Sequence, residues 1–145
     1  MTRPMIAAFI ILSAVAQPVP AGPLDDAKAQ AHLNAVAAGD LAALTQDYAE
    51  DAYMDWVGGP LDGRYQGKAA IGAVWQKFIA ANAGKPRPAK FGKLESYAHP
   101  KGTSVEASAE YGGTPTVKVR HVLTYRDGSL TTEIWQVAPA IQVAP

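Results

Sequence analysis

Residues 116–137 read TVKVRHVLTYRDGSLTTEIWQV, two alternating runs on either side of Asp127-Gly128-Ser129. In the first run Val117, Val119, His121, Leu123 and Tyr125 share one face, and Thr116, Lys118, Arg120, Thr124 and Arg126 share the other with Val122. That period of two predicts an antiparallel hairpin with one face against a core. The buried face carries His121. Burial favours the neutral imidazole, which keeps one donor and one acceptor nitrogen and is able to bind a carbonyl or move a proton. The same histidine also reads as a satisfied core residue.

The turn sets which residues of the second run face inward. A two-residue turn at Asp127-Gly128 pairs Val122 with Glu133 and sends Glu133 and Trp135 to the polar face. A three-residue turn, Asp127-Gly128-Ser129, pairs His121 with Trp135 instead. The second is preferred because Trp135 and Val137 are better buried, and it brings Glu133 inward beside Leu123. A carboxylate placed there has its pKa raised by desolvation unless a His or Arg compensates.

Outward from this hairpin, alternation predicts further strands over 90–98 and 104–111, with turns at 100–102 and 112–115. The preceding half is helical. Asp25 and Asp26 cap a helix over 26–38, Gly39 closes it, and Asp40 caps a second helix over 41–48. Ile71, Val74, Trp75, Phe78 and Ile79 mark a third helix over 68–83, stopped by Gly84 and Pro86. Between the helices, 53–57 is a short strand, followed by a loop through Gly58-Gly59-Pro60 and Asp62-Gly63. Helices followed by consecutive strands indicate an α+β fold, an antiparallel sheet with helices on one face. One domain is expected over 26–138, with a leader at 17–25 and a tail at 139–145 that is loose or laid across the sheet.

Residues 1–16 read as a secretory signal: Arg3, then an apolar run over 5–16 broken only by Ser13, then Ala14-Val15-Ala16 for a signal peptidase. Cleavage after Ala21 is the alternative. The run is short of the roughly 20 residues of a spanning helix. The mature chain is therefore expected in the periplasm or secreted, with no stable membrane insertion. The chain has no cysteine, and its 13 basic and 13 acidic side chains balance, which argues against a nucleic-acid partner. No Gly-rich phosphate loop, nucleophile elbow or paired-histidine metal motif occurs, so neither a cofactor nor a metal is expected. A small-molecule or protein partner remains.

Other polar candidates are ambiguous in direction. His32 lies near Leu33 and Val36 and reads as buried or as a solvated helix residue. Asp55 is a candidate base if Tyr53, Asp55 and Val57 face inward, and a solvated carboxylate if Ala52, Met54 and Trp56 do; apolar content favours the second. Lys85, Arg87, Lys90 and Lys93 form a basic run with prolines, read as a solvated loop or a weak anionic-surface contact.

Four segments in order, Ala38-Gly39-Asp40-Leu41, Tyr48-Ala49-Glu50-Asp51-Ala52, Gly67-Lys68-Ala69-Ala70-Ile71 and Tyr125-Arg126-Asp127-Gly128, together resemble the SnoaL-like and ketosteroid-isomerase-like branch of the nuclear transport factor 2 superfamily. The resemblance spans about 26–137. It implies a cone, a curved antiparallel sheet packed on N-terminal helices around an apolar pocket, and a homodimer through the sheet. In ketosteroid isomerase an aspartate base works with a tyrosine and a protonated aspartic acid. On this chain the tyrosine's position resembles His32 and the protonated acid's His121. The base falls on Trp56, or on Asp55 with a one-residue shift, and a further family aromatic falls on Trp75. Every functional position differs, so steroid isomerisation is not implied.

The leading expectation is an exported protein enclosing a small, largely apolar ligand, walled by Trp56, Trp75, Tyr125 and Trp135 and oriented by His32 and His121. Catalysis would be cofactor-independent proton transfer of isomerase or cyclase type, with Asp55 or Glu133 as base and His121 polarising a carbonyl. The alternative is a noncatalytic binding or protein-interaction module whose pocket is filled by its own side chains.

Overall fold

A computed structural model describes residues 22–145. The expected signal segment and the first part of the leader lie outside the described residues. Helix α1 runs Gly22–Ala38, starting four residues before Asp26, since a proline at position 23 is compatible with a first turn whose N–H groups have no helical partner. Its end is a Schellman motif: Gly39 (φ 68°) donates to Val36 O at 3.2 Å and Asp40 N to Ala35 O at 3.1 Å. Asp40 then caps α2 (Leu41–Thr45), its Oδ1 accepting from Ala43 N at 3.0 Å. That helix is shorter than expected. Tyr48, read from sequence as its last residue, instead opens β1 (Tyr48–Val57).

Strand β2 (Gly63–Gln66), which the glycines disguised as loop, pairs antiparallel with β1. Helix α3 (Lys68–Ala81) follows, burying Ile71, Val74, Trp75 and Phe78. The single strand expected over 90–98 is two, β3 (Ala89–Phe91) and β4 (Glu95–His99), both paired with β5 (Gly102–Tyr111). The break contains Gly92, where a Cβ would collide with Ser108 Oγ and stand 3.2 Å from Ala144 O. The tail crosses here: Lys93 N donates to Ala144 O at 3.2 Å. Strands β6 (Val117–Arg126) and β7 (Ser129–Val137) complete a curved, unclosed sheet of order β2-β1-β7-β6-β5-β3, with β4 also on β5. The sheet is mixed, because β1 lies parallel to β7 while the other pairs are antiparallel.

The helices close the concave face over a core of large rings. Trp75 and Trp135 have centroids 5.0 Å apart and nearly perpendicular planes, Trp56 lies 4.8 Å from Trp135, and Tyr111 stacks on Trp135 at 5.6 Å. Burial on β5 alternates strictly along all ten residues, as a sheet with one face on such a core requires.

The β6–β7 register is the expected one by a different route. The turn has two residues, Asp127 (φ 49°) and Gly128 (φ 75°), both in the left-handed region that a tight hairpin turn uses. Arg126 thus pairs with Ser129 and Tyr125 with Leu130. Beyond them the register shifts by one: Thr124 pairs with Thr132, Leu123 with Glu133 and His121 with Trp135. The extra residue lies in the strand, as a bulge at Thr131 whose Oγ1 donates to Thr124 O at 3.1 Å. Deleting Thr131 should remove the bulge and leave Leu130, Glu133 and Trp135 on the inner face, so the deletion variant should keep a cooperative thermal melt. Thr131→Ala should keep the fold and cost about 1 kcal/mol; a deletion variant without a cooperative transition would contradict the assignment of Thr131 as the residue outside the ladder.

Candidate functional site

Three expected residues meet on the inner face. His32, from the middle of α1, places Nε2 3.2 Å from Glu133 Oε1, and His121, from β6, places Nδ1 3.5 Å from the same oxygen. Glu133 is wholly buried. Tyr48 donates a short hydrogen bond to Oε2, and Trp75 Nε1–H donates to the Tyr48 hydroxyl oxygen at 3.0 Å. Tyr111 OH lies 3.0 Å from His121 Nε2. An anionic Glu133 takes donors, which places a proton on His121 Nδ1 and makes Nε2 the acceptor from Tyr111. At 3.5 Å that Nδ1 is left without a hydrogen bond of ordinary length.

Burial holds His121 below the ordinary imidazole value, with the hydrogen bond and charge of Glu133 opposing and His32 adding to the lowering. For Glu133 burial is the largest influence and raises the carboxyl. The charge of His32, hydrogen bonds from both imidazoles and the charge of His121 together outweigh it and hold the group well below the usual carboxylate range. Tyr48 is pushed well above its ordinary value by burial first and then by Glu133, so it stays a donor. Two imidazoles converge on one carboxylate oxygen instead of on an empty centre, and among the described residues no group of His, Asp or Glu is arranged to hold a metal ion.

Asp55 is not part of this cluster. Ala52, Met54 and Trp56 take the inner face of β1, so Asp55 lies outward, 3.1 Å from Arg64 Nε and accepting from Tyr53 OH at 3.0 Å. This corrects its candidacy as an inward base, because the strand's parity spends the buried face on apolar side chains.

The aromatic residues divide. A cavity of about 300 Å³ opens where β1 and β7 end and β6 begins, walled by Trp56, Phe78, Trp135, Val117 and the 58–61 loop. Trp56 and Trp135 line it. Trp75 does not, being packed behind Trp56 and Trp135. Tyr125 does not line it either, lying at the opposite end of β6 and paired with Thr103. His32, His121 and Glu133 are outside the cavity lining. Trp135 touches both, lining the cavity and packing nearly perpendicular to His121 with centroids 4.9 Å apart.

Sequence reasoning missed Tyr48 and Tyr111 as partners of the cluster, and Arg87 and Phe78 as walls of the cavity. Tyr48 was hidden by the misplaced helix end. Arg87 sat in a run that read as solvated, yet it is 5 % exposed, its guanidinium 4.5 Å over the Phe78 ring. Its Nη1 donates to Gly112 O at 2.9 Å and Pro115 O at 2.8 Å, and Nη2 to Thr114 O at 3.2 Å. Only contacts between distant segments reveal that burial.

A family model described as a SnoaL-like domain matches residues 29–133. No curated protein matches the chain. Among solved structures, the chain is similar to an NTF2-like protein of unknown function from Pseudomonas putida, 19% identical over 79% of this chain and 84% of that one, with a TM-score of 0.67. A protein with a cystatin-like fold from Caulobacter vibrioides is 15% identical over 80% and 88%, with a TM-score of 0.63. A putative polyketide cyclase from Sinorhizobium meliloti is 22% identical over 76% and 94%, with a TM-score of 0.52. At these identities the likeness is one of fold.

The cluster makes stability pH-dependent on the acid side. The folded value of His121 is lowered, so below about 6.5 the unfolded chain binds a proton that the folded chain refuses. The folded value of Glu133 is also lowered, so its contribution is present above about 4.3 and is lost as pH falls through the carboxylate range. Urea melts should show stability falling between about pH 7 and about pH 5, with a smaller slope in His121→Asn. An imidazole of His121 that titrates by NMR at or above about 6.5 would contradict this.

Proposed function

The chain belongs to the SnoaL-like domain family, and on that premise we propose that it binds a small, largely apolar ligand in the end cavity, between Trp56, Phe78 and Trp135. The observation that supports this is the cavity itself: about 300 Å³, aromatic-walled and apolar, at the lower end of the size of small-molecule sites. It counts against the reading in which the interior is wholly filled. The polar cluster is filled by its own contacts, so the ligand rests against the far side of Trp135 and not on the imidazoles.

A second reading has cofactor-independent acid–base chemistry at Glu133 and His121. It is favoured by the orphaned Nδ1 of His121 beside an ionised carboxylate in a buried setting, and by the polyketide cyclase activity suggested for the Sinorhizobium meliloti relative. It requires Trp135 to move so that a carbonyl reaches His121. Export belongs to the same proposal and rests on the N-terminal sequence alone; the N-terminus of the mature chain recovered from a periplasmic or culture fraction tests it.

Ala81 lines the cavity from the exposed side of α3, so Ala81→Trp should plug it without disturbing the core. Calorimetric titration with benzylacetone, a neutral aromatic ketone, should show binding to the parent and at least about a tenfold loss in Ala81→Trp at an unchanged melting temperature. No binding of benzylacetone or of other small apolar carbonyl compounds to the parent would overturn the proposal. Solvent deuterium entering the ketone's α-position, lost in Glu133→Gln, would favour the catalytic reading.

A further inference from the structure

The charged residues lining the end cavity are both cationic, Arg87 and Lys77, with no acid among its walls. Arg87 is buried, and among the described residues no carboxylate pairs with it. A guanidinium has five N–H donors. Three carbonyls of the 112–115 segment take three of them and compensate part of the charge with their dipoles. Among the described residues the Nε–H and one Nη2–H have no acceptor, and the Nε–Nη2 edge is the one a carboxylate bridges side-on. Asp62, the acid of the neighbouring loop, is turned to its own backbone, Oδ1 accepting from Gly58 N at 2.7 Å.

A buried cation beside an apolar cavity is costly unless a counter-charge arrives. Lys77, exposed at the rim on α3, adds a second positive charge at the entrance. Resting on the reading of this cavity as the ligand site, we infer that its ligand is an apolar acid. Its hydrocarbon part lies against Trp56, Phe78 and Trp135, its carboxylate against Arg87, and Lys77 steers it at the rim. One buried guanidinium and one rim lysine suit a single carboxylate. A phosphate ester would bring two charges and three strongly hydrated oxygens to walls that are otherwise apolar. The stacking of Arg87 on Phe78 holds the fork beside the aromatic wall, so the two halves of such a ligand are met by adjacent groups.

The test is a matched pair, phenylpropanoate and phenylpropanamide, titrated calorimetrically into the mature protein. The acid should bind at least about tenfold more tightly than the amide. Raising sodium chloride from about 50 to about 300 mM should weaken the acid severalfold and leave the amide unchanged. Arg87→Met should bring the acid to the affinity of the amide, and Arg87→Lys should retain part of the preference. Because Arg87 also anchors the 112–115 segment, Lys77→Met is the variant that leaves the fold untouched, and it should weaken the acid by about two- to threefold. Equal binding of acid and amide by the parent overturns the inference and leaves the cavity as the ligand site. Failure of both compounds and of benzylacetone overturns the two together.

Discussion

One extra residue in β7, Thr131, fixes the content of the protein's interior. A sheet has a side-chain period of two, so a shift of one reverses every residue beyond it. With the bulge in place Glu133 and Trp135 face inward, Glu133 beside Leu123 and Trp135 beside His121. Were Thr131 paired with Thr124 in an unbroken ladder, the carboxylate would face solvent and the indole would leave the core. Both features of functional interest, the buried acid between two imidazoles and the aromatic wall of the end cavity, follow from that register. The parallel pairing of β1 with β7 carries it one strand further, setting Met54 beside Glu133 and Trp56 beside Trp135.

Trp135 is where the two features meet. It packs against His121 and also lines the cavity. The cavity has aromatic walls and a cationic corner, and the cluster is a buried polar network in which Glu133 is held ionised by donors from α1 and β1. Its pairs stabilise and specify a core, while His121 Nδ1 is left without a hydrogen bond of ordinary length. His32, His121 and Glu133 do not line the cavity, so chemistry there on a ligand from the cavity requires the packing around Trp135 to open. The same cavity can therefore belong to a binder or to an enzyme, and the choice turns on one side chain.

Much of this was legible in the sequence where local patterns suffice. The alternation over 116–137 gave the inward face of β6, and the apolar parity of Ala52, Met54 and Trp56 favoured the outward Asp55. The preference for burying Trp135 gave the long-range register even though the turn was assigned one residue too many. That error has a physical source: a bulge in the strand and a longer turn shift the register equally, and both suit Asp127-Gly128. Residues defined by contacts between distant segments stayed hidden. Arg87 is buried by carbonyls of 112–115 and by Phe78, and no local pattern distinguishes it from the solvated lysines around it. Tyr48 was concealed by a helix that stops three residues earlier than its composition suggests. The direction of the Glu133 shift also reverses the expectation from burial alone, because the compensating imidazoles arrive from separate elements.

The central claim is that ligand is held in the end cavity and not on the buried imidazoles. It is tested most directly by mapping NMR chemical-shift changes on addition of a saturating aromatic ligand such as phenylpropanoate. The account predicts the largest changes at Trp56, Phe78, Ala81 and Val117, with His32 and Tyr48 unmoved. Changes centred on His32, Tyr48 and Glu133, with the cavity walls silent, would contradict it and place the site inside the polar cluster.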